Sequence, residues 1–392
     1  MKKTLVAAAA LASVSAFAQV TITGNLDFAG ANISGSQYGA KGQTISTTIG
    51  VSSTSVINLD AIEDIGGGSK VQVHYGFDPR TLANDAFTVT NNQVNTTTAN
   101  APVGNTVTGL SRDELYIAFD SASAGKLMLG APNSLGLDTH GVASALGTGV
   151  GSGYAPAANT MTNAVVTTRY NRSVRFNSAV MNGFSVQANY APGSDVQGTV
   201  TGAAVAPGAG VANVALVLPN ARKATEFGLS YANGPLNARF TNVSLAAQTY
   251  APGYYANNGD GTITAANLVA AKSNMFSVNY ALGATTLYYG YTNGDLQTST
   301  TTATKGISTR VAAKYDAGVF AVTAQRTALR STTSANAITD SSVTGLRADY
   351  PLSKTSKVYA GYEYWNTGAA AGTVSTTTGD KKLTSIGLQK TF

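Results

Sequence analysis

Lys70-Val71-Gln72-Val73-His74-Tyr75-Gly76-Phe77 is the stretch on which the fold turns. Its odd positions are apolar, and its even positions are polar or glycine. Successive side chains of a strand point to opposite sides, so this octapeptide is a strand with one apolar and one polar face. The same alternation returns on either side of it. Val20, Ile22, Leu26 and Phe28 alternate with Thr21, Thr23, Asn25 and Asp27, and Phe184, Val186, Ala188 and Tyr190 with Ser185, Gln187 and Asn189. Further rows are Phe227/Leu229/Tyr231, Phe276/Val278/Tyr280, Val311/Ala313/Tyr315, Leu346/Ala348/Tyr350 and Val358/Ala360/Tyr362/Tyr364. Helical spacing over three turns is nowhere as clear, so the chain reads as all-β.

These rows mix Ala and Tyr with Val, which is thin material for the two inner faces of a soluble sandwich. It suits a lipid-facing band with aromatic girdles. Tyr190, Tyr231, Tyr280, Tyr315 and Tyr350 close several rows. The clearest turns beside them are Ala232-Asn233-Gly234-Pro235, Ala281-Leu282-Gly283 and Asp316-Ala317-Gly318. A repeat of roughly 40 residues holds two strands, one short turn and one long connection. Sixteen strands are predicted, over 20–31, 46–61, 70–77, 109–119, 126–132, 166–177, 184–190, 222–231, 235–246, 273–281, 284–292, 305–315, 318–328, 341–350, 356–366 and 380–392. Short turns at one end and long, low-complexity connections such as 91–108, 195–219 and 250–271 at the other give the sidedness of a transmembrane up-and-down barrel. The first strand is expected to pair with the last, because an open edge in lipid would leave a row of backbone N–H and C=O groups bare.

Composition agrees with that architecture. Only 11% of the 392 residues are charged, against about a quarter in soluble domains. Mean hydropathy is nevertheless +0.02, as expected when an apolar and a polar row average out. Apolar residues make up 43% of the chain, with 19 Tyr and 12 Phe, which excludes a disordered chain. A net charge of +6 without Lys/Arg clusters excludes a nucleic-acid partner. The absence of cysteine excludes disulfide scaffolds and thiolate metal sites. Met1-Lys2-Lys3, the apolar run Thr4 to Ser15 and Ala16-Phe17-Ala18 read as a signal peptide over 1–18, cleaved to leave a barrel over 19–392. Beyond it, no window approaches the roughly 20 apolar residues of a membrane-spanning helix.

Several short motifs, in order, resemble the general porins of Gram-negative outer membranes, particularly those of the neisserial and β-proteobacterial type. They are Val20-Thr21-Ile22-Thr23-Gly24-Asn25-Leu26-Asp27, Glu63-Asp64-Ile65-Gly66-Gly67-Gly68-Ser69-Lys70, Tyr116-Ile117-Ala118-Phe119 with Gly125-Lys126-Leu127-Met128-Leu129-Gly130, Asn171-Arg172-Ser173-Val174-Arg175-Phe176, and Ser385-Ile386-Gly387-Leu388-Gln389-Lys390-Thr391-Phe392. The resemblance implies a sixteen-stranded homotrimeric channel for passive diffusion of small hydrophilic solutes and ions. It implies a place among outer-membrane lipid and lipopolysaccharide, and a third loop folded into the lumen with acids facing a basic ladder on the wall. Phe392 is implied to be the signal read by the outer-membrane assembly machinery. The segment between Gly130 and Arg169 is the candidate third loop, with Asp138 as its only acid and His140 nearby. Arg169 and Arg175 match wall arginines of the family, whereas Val56, Asp60, Asp113 and Ala131 stand where it places others.

Alternation puts Lys70, Arg112, Arg169, Arg175, Arg239, Arg310, Lys314 and Arg347 on the polar row. Against them stand Asp27, Asp60, Glu114, Glu226, Asp349 and Glu363, with Asp138 on the loop. The pore-lining and constriction candidates are Arg169, Arg175, Arg112, Lys70, Arg310, Lys314, Asp60, Glu114 and Asp138. So even a balance predicts weak selectivity with a slight preference for anions. No cofactor is expected. A barrel hydrolase is the sharper competing reading, but only His74 and His140 are available as imidazole base, no G-x-S-x-G occurs, and the two histidines lack metal-ligand spacing. The glycine-rich run 147–153 has no P-loop lysine and reads as flexible. A secreted β-rich adhesin would share the Thr/Asn/Gly richness. Heat-modifiable migration and extraction only by detergent distinguish the barrel from it.

Overall fold

The computed structural model describes residues 19–34, 44–51, 55–78, 111–152, 168–170, 172–192, 194–199, 215–221, 223–247, 256–257, 263–264, 270–296, 304–332, 338–367 and 379–392. The predicted signal peptide (1–18) and the connection 91–108 lie outside them. The strands are β1 (Gln19–Ser34), β2 (Thr44–Val51), β3 (Val56–Gly66), β4 (Ser69–Asp78), β5 (Ser111–Ser121), β6 (Gly125–Ala131), β7 (Ser173–Ser178), β8 (Phe184–Ala191), β9 (Ser194–Thr199), β10 (Ala215–Ala221) and β11 (Ala224–Asn233). They continue with β12 (Leu236–Leu245), β13 (Ala256–Asn257), β14 (Ile263–Thr264), β15 (Ala271–Leu282), β16 (Thr285–Leu296), β17 (Thr304–Asp316), β18 (Ala321–Thr332), β19 (Ile338–Ser353), β20 (Ser356–Thr367) and β21 (Gly379–Thr391). A helix, α1 (Leu135–Val142), follows β6.

Seventeen of these segments form one antiparallel sheet. β1 pairs with β3 through Gln19 to Asn25 and with β2 through Phe28 to Ser34, so β2 and β3 are two halves of one wall strand. The wall therefore has sixteen strands. It closes where β1 meets β21, with Phe28 opposite Leu388. Phe392 finishes the seam, accepting from Gly24 N at 2.9 Å and donating to Gly24 O at 3.1 Å. The pairs β9–β10 and β13–β14 are hairpins outside the wall, lying within the long connections.

The alternating rows are turned inside out relative to a water-soluble protein. On β18, Thr323 is 1% exposed and Gln325 3%, whereas Val322 is 41% exposed. On β1, Val20 is 65% exposed while Asp27 is fully buried. An exterior that exposes its apolar row and an interior built of polar groups belong to a barrel in lipid. Tyr280, Tyr315 and Tyr350 share the outward row at the short-turn end, but Tyr190 lies at the opposite, long-loop end of β8.

Two local expectations differ from the structure. The strand predicted over 166–177 begins only at Ser173, because Arg172 sits at φ 56° and Arg169 is joined to Asn133 by an isolated bridge. The strand predicted over 46–61 is split, and its second half runs on to Gly66.

Candidate functional site

The connection after β6 enters the barrel and lies along its inner wall. Ser134 caps α1, its side chain accepting from Leu137 N at 3.0 Å. The two preceding helix N–H groups meet the wall. Glu226 of β11, 1% exposed, accepts from Leu135 N at 2.8 Å and Gly136 N at 3.2 Å, and from Asn189 Nδ2 at 2.9 Å. A carboxylate at a helix N-terminus satisfies otherwise orphaned donors and opposes the positive end of the helix dipole. One turn on, Thr139 Oγ1 and Thr241 Oγ1 of β12 lie 2.6 Å apart, and Asn279 Nδ2 of β15 donates to Val142 O at 2.9 Å.

Beyond the helix the chain keeps to the wall. Gln325 of β18 accepts from Ala145 N at 3.2 Å and donates to Ser152 O at 2.5 Å, and Glu363 of β20 accepts from Gly151 N at 2.8 Å. Contact this close requires glycine on the strands beneath. A Cβ on Gly290 would lie 2.7 Å from Ala143 Cβ, and one on Gly345 would overlap Gly151 O. Val150 joins Ala31 and Leu383 in an apolar cluster near the β1–β21 seam. The loop thus lines the lumen from β11 round to β1.

This path decides what most of the predicted cations do. Asp138, on α1, is held by Arg175 of β7 at 2.5 Å and approached by Arg239 of β12 at 3.4 Å. Arg175 also donates to Asn133 O at 2.6 Å. Arg310 of β17 donates to Thr327 at 3.0 Å and lies 2.9 Å from the His140 ring nitrogens. Burial, then the neighbouring Arg310 charge, hold the His140 imidazole well below its usual pKa, so it stays neutral and accepts the guanidinium. Arg169 pairs with Asp113 at the root of the loop, and Glu114 accepts from Asn133 N at 2.7 Å.

The wall of β3 to β6 presents a more open surface. Asp60 contacts His74 Nδ1 at 2.8 Å and accepts from Gln72 at 2.7 Å. His74 stacks on Tyr116 with 4.9 Å between centroids, and Lys126 lies over the same ring while donating to Gln72 at 2.6 Å. Lys70 is exposed. Lys314 is half-exposed, 3.7 Å from Asp316. Arg112, expected among the pore-lining residues, lies opposite Phe77 after a register shift between Tyr75 and Phe77. Arg347 pairs with Asp349 at 2.8 Å and stacks over Tyr359, whose hydroxyl donates to Asp27 at 2.6 Å.

A family model described as Gram-negative porin matches residues 4–370. The chain belongs to the Gram-negative porins. It is a channel for passive diffusion in the outer membrane. Among solved structures, this porin is similar to an anion-selective porin from Comamonas acidovorans (16% identity, 96% of this chain and all of that one, TM-score 0.66). It is also similar to OmpT, in-vitro folded, an outer membrane protein of Vibrio cholerae (14% identity, 95% and 97%, TM-score 0.62). A third is Salmonella typhi OmpF in complex with daunomycin (11% identity, 96% and 98%, TM-score 0.56). No curated protein matches. At these identities the structural likeness speaks for the fold.

Sequence reasoning placed Asp138, Arg175, Arg310 and Glu226 in the lumen of this porin but missed the contacts that hold its loop. Gln325, Asn279, Thr241 and Asn133 drew no notice, being ordinary members of a polar row. The usable signal lay in Gly290 and Gly345, inward positions where alternation asks for a polar side chain and the close approach of the loop demands none.

Proposed function

We propose that this porin passes small hydrophilic solutes and ions with weak selectivity and a slight preference for anions. One observation carries the reading: Asp138, the only acid on the described part of the loop, is clasped by two wall arginines, so no exposed acidic face opposes a free basic ladder. Arg175, Arg239 and Arg310 anchor the loop, whereas lumenal Lys70, Lys126 and Lys314 stand away from its anchor points. Arginine and lysine remain charged across the working pH range, which gives the small anion preference its sign. Reversal potentials across planar bilayers in a salt gradient test the reading. A small anion-directed potential supports it, and a clear cation preference overturns it.

The same reading takes residues 1–18 as a cleaved signal peptide, Phe392 as the mark read by the assembly machinery, a homotrimer as the working form, and lipid and lipopolysaccharide as its surroundings. It assigns no catalysis. His74 and His140 are each engaged, with Asp60 and Arg310 respectively, in contacts that account for their positions.

A further inference from the structure

One titratable group of the uncovered wall is tied to an acid through one nitrogen and unpaired at the other. His74 lies on β4 and is 8% exposed. Its Nδ1 is 2.8 Å from Asp60 Oδ1 of β3, and because a carboxylate only accepts, Nδ1 carries the hydrogen. That contact fixes the tautomer. Nε2 holds the lone pair and has no hydrogen-bond partner among the described residues. The ring stacks on Tyr116 of β5, with 4.9 Å between centroids and 13° between planes, which holds it flat beside Asp60.

Charges of both signs face it from every neighbouring strand. β3 presents Asp60, and β5 presents Tyr116 and Glu114, the latter in electrostatic contact with His74. From β6 comes Lys126, bound to Gln72 and lying over the Tyr116 ring. Lys70, further along β4, stands opposite Asp64 of β3 and Asp120 of β5. Arg175 of β7 is committed to Asp138, and Arg169 to Asp113. Among these side-chain types, imidazole is the one whose charge ordinarily changes between about pH 5 and 8. The other imidazole, His140, lies beneath the loop against Arg310 and acts on docking rather than on uncovered wall.

We propose that His74 makes the ion selectivity of this porin depend on pH, moving it toward anions as the pH falls. While the imidazole is neutral, the Asp60–His74 pair shows the lumen one negative charge. Once Nε2 takes a proton from water, the pair shows none. A passing cation then loses an attractive group and a passing anion a repulsive one. Asp60 is where the change is felt, since its side chain is 18% exposed against 10% for that of His74. The inference rests on the weak selectivity proposed above, because one charge matters most where the fixed charges of the lumen nearly balance. If His74 only held Asp60 and Tyr116 in place, selectivity would not follow its protonation.

The test is the reversal potential of the full-length folded porin in planar bilayers, in one potassium chloride gradient at pH 8 and at pH 5. The anion-to-cation permeability ratio of the unsubstituted porin is expected to rise about twofold between the two. His74→Gln is expected to hold one ratio at both pH values. His140→Gln is expected to keep the rise, since that residue acts on the loop and is read as current noise. Asp60→Asn removes the same charge without titration, and at pH 8 is expected to show the ratio that the unsubstituted porin reaches at pH 5. Should His74→Gln fail to give a heat-modifiable barrel, Asp60→Asn decides alone. The proposal is overturned if the ratio of the unsubstituted porin does not rise, or if the rise survives in His74→Gln or vanishes in His140→Gln. It is equally overturned if Asp60→Asn matches the unsubstituted porin at pH 8. A clear cation preference of the unsubstituted porin at both pH values would instead strike at the weak-selectivity reading, while the difference between the two still decides the role of His74, so the two failures are distinguishable.

Discussion

The wall from β11 to β20 and the wall from β3 to β6 show the lumen the same kinds of residue, and differ in what covers them. Along the first, Glu226, Thr241, Arg310, Gln325 and Glu363 are buried beneath the loop, and their polar groups meet its backbone or side chains. Along the second, Asp60, Gln72, His74 and Lys126 bond chiefly to one another, and Lys70 stays exposed. The contrast separates two roles that a polar row alone cannot distinguish. A charged wall residue under the loop is an anchor, whereas one on the uncovered wall can act on a passing ion. Charge counted along the sequence therefore overstates the field that a solute meets.

The largest effect is expected where the covered wall holds the helix. Glu226→Ala leaves two helix N–H groups and the Asn189 amide without their acceptor, at a cost to loop docking of about 3 kcal/mol. Noisy, raised single-channel conductance and rapid proteolysis within the loop are the expected signs, and an unchanged open level would break the contrast. Gly345→Val comes next. Its side chain would overlap Gly151, and displacing the loop by overpacking costs about 1–3 kcal/mol. Limited proteolysis of the folded barrel checks it, with cleavage expected near Gly151.

A milder effect follows from pH. The folded imidazole of His140 has a depressed pKa, so the loop docks with full strength above the free-imidazole value of about 6.5. Docking weakens as pH falls from there toward the depressed value, since protonation favours the undocked loop. Current noise should rise between pH 7.5 and pH 5, and His140→Gln should flatten that rise. The smallest effect belongs to the uncovered wall. Lys70→Gln is expected to leave the loop in place and to shift the reversal potential slightly toward cations.

Much of the fold was legible because lipid enforces period two on every wall strand. The alternation of Lys70 to Phe77 and of Val358 to Tyr364 survives unchanged in β4 and β20, and the predicted pairing of first and last strands is the β1–β21 seam. Boundaries failed where the rule is locally broken, at the positive φ of Arg172 and at the register shift that sets Arg112 opposite Phe77. Helix α1 is too short to show periodicity, although Ser134 as N-cap and Asp138 in the first turn announce it. The candidate site was legible as a set of residues but not as a set of pairings. Arg310 meets His140 across 170 residues and Glu226 meets Leu135 across 91, and no local pattern encodes contacts of that range.

The central claim is that docking the loop neutralises the charge that would otherwise sort ions, and Asp138 is where it is most exposed to test. The decisive measurement is the reversal potential of the unsubstituted porin and of Asp138→Asn, side by side in the same potassium chloride gradient. The account predicts a value near zero and slightly anion-directed for the first, and a clear move toward anions for the second as Arg175 and Arg239 lose their shared counter-ion. A strongly cation-directed potential in the unsubstituted porin, or identical potentials in both, would contradict it.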